Sequence, residues 1–198
     1  MLQKQIRNIV VLLSVLVVAF PAQAKKPTDP DDLFNPLLGP DYSHWMVGPL
    51  VEIATEEEVE EFLLLVSDED AQAFVERFWD RRNAGAELFT KTPRQIYEAR
   101  AEDADKRFTE GAYPGRRTDR GAILILYGEP ESIEFESPRK VNDPPLEVWR
   151  YKKREEGLDG EKPKKQYRFV DLGRSVVRYT GQKLPPNLQR RLDRQRRF

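Results

Sequence analysis

Residues 115–130 read GRRTDRGAILILYGEP, and the reading of this stretch decides the fold. It holds a loop, a Thr118-Asp119-Arg120-Gly121 turn, an unbroken apolar run at 122–127, and a Gly128-Glu129-Pro130 stop. A short apolar run closed by Gly121 and Gly128 fits a strand buried on both faces. Residues 122–127 are therefore predicted as a strand, with 133–135 pairing against it after the turn.

N-terminal to this stretch the period is helical. Thr55 followed by Glu58 is a capping box, in which the hydroxyl and the carboxylate each serve a free amide at the helix start. Val59, Phe62, Leu63 and Val66 then fall on one face. Ser67 with three acids behind it opens a second helix, because carboxylates favour the positive end of the helix dipole. Its apolar set is Ala71, Phe74, Val75, Phe78 and Trp79, and the short connection makes the pair an antiparallel hairpin. Thr92, Pro93 and Gln95 supply cap, first-position proline and capping box for a third helix. Tyr97, Ala101, Ala104 and Phe108 form its stripe, and Gly111 follows as a left-handed stop.

C-terminal to the stretch the period becomes two. Residues 146–151 alternate, with Trp149 and Tyr151 on one face and Val148 on the other, and 166–171 alternate through Tyr167 and Phe169. Residues 172–174 read as a tight turn and 175–179 as a last strand. Strands joined without helical crossovers make an antiparallel meander. The predicted fold class is α+β, with N-terminal helices packed on a small antiparallel β-meander.

The chain has 198 residues, enough for one domain plus extensions. Residues 1–24 have the three parts of a secretory signal peptide: basic Lys4 and Arg7, an uncharged run at 9–20, and the small-residue site Ala22-Gln23-Ala24. Cleavage is expected after Ala24, because the run falls short of the ~20 apolar residues of a membrane span. Export to the periplasm or beyond follows. The chain has no cysteine, so neither disulfides nor a lipidated cysteine contribute, and the fold stands on packing. Residues 25–54 are a proline-rich lead-in, expected to be extended and partly disordered. Its Leu33, Phe34, Leu37, Leu38, Tyr42 and Trp45 offer points for docking on the body. Residues 55–180 form the domain and 181–198 a basic tail.

Net charge is divided unevenly. Residues 25–138 carry 13 basic and 26 acidic side chains, and residues 139–198 carry 18 and 8. Mutual attraction of the two halves within one fold is the simplest reading. In the tail, Arg190, Arg191, Arg194, Arg196 and Arg197 follow Leu188 at close spacing. A solvated end is the simpler reading, and weak contact with an anionic membrane surface is the other. Export argues against nucleic acid as a partner.

No catalytic grouping emerges. His44 is the single histidine and lies in the proline-rich lead-in, and no serine sits in a nucleophile elbow, so no histidine triad or zinc cluster is expected. No metal or cofactor is expected. Asp119 is the most interesting carboxylate; in a turn it accepts backbone amides or pairs with Arg120 or Arg100. The enzymatic alternative is a hydrolase or carbohydrate-active protein using Asp119 with Glu129 or Glu147, which requires two carboxyls in one cleft.

The segment from Val59 to about Tyr179 resembles the GWxTD domain family of exported bacterial proteins, whose function is not established. The family motif runs Gly-Trp-x-Thr-Asp, then Arg-Gly, a hydrophobic strand and Gly-x-Pro. Here it is carried by Gly115, Arg116, Thr118, Asp119, Arg120, Gly121, Gly128 and Pro130, with Phe78-Trp79, Tyr97, Arg100 and the run at 147–151 as further landmarks. The departure is Arg116, where the motif has tryptophan. If that aromatic anchors the loop, the loop here is looser or differently seated; if it contacts a partner, the partner differs. The strands also look like the meander of small lipoproteins that assist outer-membrane barrel assembly, a likeness of fold alone. Together these readings imply an exported, non-enzymatic interaction or assembly module with an unidentified protein partner in the cell envelope.

Overall fold

A computed structural model describes residues 30–84, 90–137, 145–171 and 177–179. The expected signal peptide, the turn at 172–174 and the basic tail lie outside these residues. Among the described residues five α-helices precede a four-stranded sheet: α1 (Leu50–Ile53), α2 (Glu56–Leu63), α3 (Asp68–Asn83), α4 (Pro93–Phe108) and α5 (Asp119–Tyr127), then β1 (Ser132–Glu136), β2 (Leu146–Arg150), β3 (Gln166–Asp171) and β4 (Val177–Tyr179). The sheet is an antiparallel meander in the order β1-β2-β3-β4. The fold is thus α+β, with the helices ahead of the strands.

The helix starts follow their local chemistry. Both capping boxes close, Thr55 with Glu58 and Thr92 with Gln95, and Ser67 accepts from the Asp70 amide. Arg82 of α3 bonds Glu58, and Arg77 bonds Glu61. Partners that step backward along α3 as they step forward along α2 make these helices antiparallel. Val66 is not part of the stripe: α2 ends at Leu63, and Val66 is 66% exposed. The cause lies in the lead-in. The buried Asn35 amide donates to the carbonyls of Phe62 and Leu65. The Phe62 carbonyl also accepts from the Leu65 amide, so Asn35 adds a second bond there and ties the lead-in to the end of α2.

The described part of the proline-rich segment is docked rather than extended. Leu33, Leu38, Met46 and Val47 are buried, and the Gly39 amide donates to Asp68. The Trp45 ring lies 5.0 Å from Phe78 and 5.8 Å from Phe74, in edge-on contacts. Such rings contribute area burial and roughly 1 kcal/mol of specific geometry each.

Residues 122–127 are helical, not a strand. Thr118 accepts from the Gly121 amide and starts α5, and Gly128 ends it at a φ of 77°. Leu124, Ile125 and Leu126 are buried while Ala122, Ile123 and Tyr127 are half-buried. A short helix wrapped on most sides loses its one-sided period, so its sequence imitates a buried strand. Residues 133–135 accordingly pair elsewhere, with Ile133 opposite Trp149 and Phe135 opposite Glu147 of β2. Trp149 is fully buried between Phe108 at 5.6 Å and Phe169 at 5.0 Å, which joins α4 to the sheet. The two differently charged halves meet across β1, where Glu134 pairs with Arg150 and Glu136 with Arg168. Among the described residues no helix is long and apolar enough to cross a membrane.

Candidate functional site

The motif residues form a corner between α4 and α5. Gly115–Arg117 is one turn of 3-10 helix, and Thr118 is 1% exposed. The Thr118 hydroxyl donates to the Gly115 carbonyl at 2.8 Å and accepts from the Gly121 amide at 3.1 Å. It thereby binds the loop to the helix it caps. Thr118→Ala should cost about 1 kcal/mol in denaturant unfolding, from the lost cap; the Gly115 carbonyl keeps the Thr118 amide as a donor. A loss below about 0.3 kcal/mol would contradict this role.

Both glycines of the corner are required by close approach. A Cβ on Gly115 would overlap the Ala104 carbonyl and the Asp105 backbone, and one on Gly121 would overlap the Gly115 carbonyl. Ala104, fully buried, completes the contact from α4.

Arg116 occupies the place of the motif tryptophan, and the loop is seated by charge. Its backbone amide donates to Asp105 Oδ1 and its Nε to Asp105 Oδ2, both at 2.7 Å. The Asp105 side-chain bond lifts the Arg116 pKa above its ordinary value against the opposing effect of burial. A fork of parallel donors on one carboxylate supplies direction as well as attraction.

Arg120 points to the sheet. Its guanidinium lies 4.9 Å from the Phe108 ring centroid and donates to Glu147 at 3.1 Å, while Glu110 lies 3.8 Å from it. Glu147 also accepts from the Trp149 indole at 2.7 Å. Arg120 Nε is buried without a hydrogen bond. Asp119 is the first residue of α5, where a carboxylate meets the positive end of the helix, and it is partnered within the fold. Of the arginines expected near it, Arg120 goes to Glu147 and Arg100 goes to the far end of α5.

At that far end Arg100 Nη1 donates to the carbonyls of Ile125 at 2.8 Å and Leu126 at 3.2 Å. The Gly128 carbonyl accepts from the Tyr151 hydroxyl at 2.8 Å, and Pro130 is half-buried where the chain turns toward β1. A cation at a helix C-terminus meets the negative end of the dipole and its unpaired carbonyls. Burial lowers the Arg100 pKa, with Tyr151 opposing it. Periodicity did not single out Arg100, Asp105 or Tyr151 for these roles, because their partners are remote in the chain. The one local signal was Thr118-Asp119, which has the same form as Ser67-Asp68.

The two carboxylates proposed to act with Asp119 each have other partners. Glu129 is bonded by Arg107 of α4, and Glu147 by Arg120 and Trp149. His44 lies against Phe34 and hydrogen bonds Ser43, and burial and Arg117 lower its pKa.

The family described as GWxTD domain matches the chain over residues 40–172. The match reaches further toward the N-terminus than the motif's resemblance and takes in α1 with part of the docked segment. No curated protein and no solved structure matches the chain.

Proposed function

The chain belongs to the GWxTD domain family, and from that premise and the geometry above we propose that it is an exported, periplasmic interaction module without catalytic activity. Export rests on the signal-peptide pattern of residues 1–24. The lack of activity is supported by the carboxylates: Glu129 and Glu147 are committed to arginines and an indole.

The observation that carries the interaction reading is the outer strand of the sheet. In the register, Ile133 and Phe135 share the face of β2 that buries Trp149. Yet Phe135 is 75% exposed and Ile133 40% exposed. The apolar face thus runs past the helices, and among the described residues no strand pairs with the outer edge of β1. An edge of this kind accepts an extended protein segment, with main-chain bonds for affinity and the side-chain face for specificity. The partner is accordingly an envelope protein presenting an extended apolar segment.

The test is capture from an envelope fraction by the mature protein and by Phe135→Asp. Loss of a central aromatic anchor costs about 2 kcal/mol, so capture should weaken by about 30-fold. Thermal stability should change little, because the ring is exposed. Equal capture by both proteins would reject this surface.

A further inference from the structure

Between α4 and the end of α5 lies a cleft of about 320 Å³, closed by residues 128–131 and 151–163. This size suits a small ligand, being near the lower bound of ~300 Å³ for binding pockets. Ile96, Leu126, Leu158, Pro163 and the rings of Tyr127 and Tyr151 give it an apolar body. Both phenols are committed, Tyr127 donating to Asp159 and Tyr151 to Gly128. Burial drives the pKa of each upward, and both stay neutral.

The charges of the cleft are unevenly satisfied. Glu129 is bonded by Arg107, and Glu131 accepts from the amides of Lys152 and Lys153. Arg100, by contrast, has no carboxylate partner among the described residues. Its Nη1 takes the two α5 carbonyls, while Nε and Nη2 hold no hydrogen bond there. Gly128 packs closely on this guanidinium, where a Cβ would come within 2.9 Å of Nη2. Lys153 adds a second cation to the lining. Glu155 and Glu156 also line the cleft, are exposed, and form no ion pair among the described residues.

We propose that this cleft binds a small zwitterion with an apolar body, such as a short peptide with free ends. Its carboxylate takes the two remaining Arg100 donors in a forked pair, the geometry in which guanidinium outperforms ammonium. Its ammonium lies against Glu155 and Glu156, and its side chain covers Leu126 and the tyrosine rings.

The probes are glycyl-leucine, glycyl-leucinamide and N-acetyl-leucine, titrated into the mature protein while the amide resonances of Lys153, Gly157 and Leu158 are followed. Glycyl-leucine should shift them saturably, with a Kd on the order of 1 mM or tighter. The amide, lacking the carboxylate, should bind at least about 10-fold more weakly, as should glycyl-leucine to Arg100→Lys. Because Arg100 also caps α5, a second variant is needed: Glu155→Gln with Glu156→Gln, on the exposed loop. It should weaken glycyl-leucine and leave N-acetyl-leucine unchanged. No saturable shift, equal binding of glycyl-leucine and its amide, or no effect of the glutamine pair would overturn the proposal.

Discussion

Gly115→Ala is expected to cost the fold about 3 kcal/mol or more, near the upper end of overpacking effects. The added methyl would meet the Ala104 carbonyl group and the Asp105 Cα. All of these are backbone atoms of α4, so no rotamer change relieves the overlap. The corner would have to lift from α4, stretching the Gly115 amide bond to Thr109 and the Arg116 fork to Asp105. Gly121 cannot absorb the shift, because it is packed on the Gly115 carbonyl itself. For a domain of this size, 3 kcal/mol corresponds to a fall in Tm of about 10 °C. A melt of Gly115→Ala that stays within a degree or two of the parent would show that the corner is not held in this way.

Glu58→Ala is expected to be as damaging, about 3 kcal/mol, because it leaves the half-buried Arg82 without its carboxylate. The Glu58 side chain is 8% exposed and receives Arg82 at 2.5 Å and Arg81 at 2.8 Å. It also accepts from the Thr55 amide at the start of α2. Arg82 lies 3.5 Å from the Phe78 ring centroid and bonds the Ile53 carbonyl, so one carboxylate joins α1, α2 and α3. Burial by itself would raise the Glu58 pKa, but the Arg82 bond, the Thr55 amide and the two positive charges hold it below the ordinary carboxylate value. A folded-state pKa below the unfolded one stabilises the fold fully above the unfolded value and is lost as pH falls through the folded value. Stability should therefore hold from neutral pH to about pH 5 and decline below it. Glu58→Gln should start lower and decline less. Unfolding curves of the two proteins that run parallel from pH 7 down to about pH 3 would remove Glu58 from this role.

The helix starts and the later strands were legible because their causes are local. Thr55 with Glu58, Ser67 with its acids, and Thr92 with Pro93 and Gln95 are complete signals within four residues, and all three open helices. Alternation marked β3, where Tyr167 and Phe169 are buried and Arg168 and Val170 are half-buried, while β2 was marked by Trp149 although Val148 on its other face is buried as well. Residues 122–127 misled for the opposite reason. Burial on several sides erases their period, and the Thr118-Asp119 signal, of the same form as the Ser67-Asp68 cap, fits a turn equally well. With that helix restored, 133–135 lost their expected neighbour and became the edge strand that exposes Phe135.

By itself the sequence determined where α2, α3 and α4 begin, the apolar stripes of α3 and α4, the order of helices before strands, and the kinship carried by Thr118, Asp119, Arg120 and Gly121. Only the tertiary structure decided that the apolar run is a helix, that Asn35 bonds the carbonyls at the end of α2, that Arg116 seats its loop by reaching Asp105, and that Arg100 lines a cleft. The physical reason is separation along the chain. A capping bond spans three residues, whereas Arg100 meets its carbonyls across 25 and 26 residues and Asn35 across 27 and 30. Bonds of the second kind exist only after the core has closed around them.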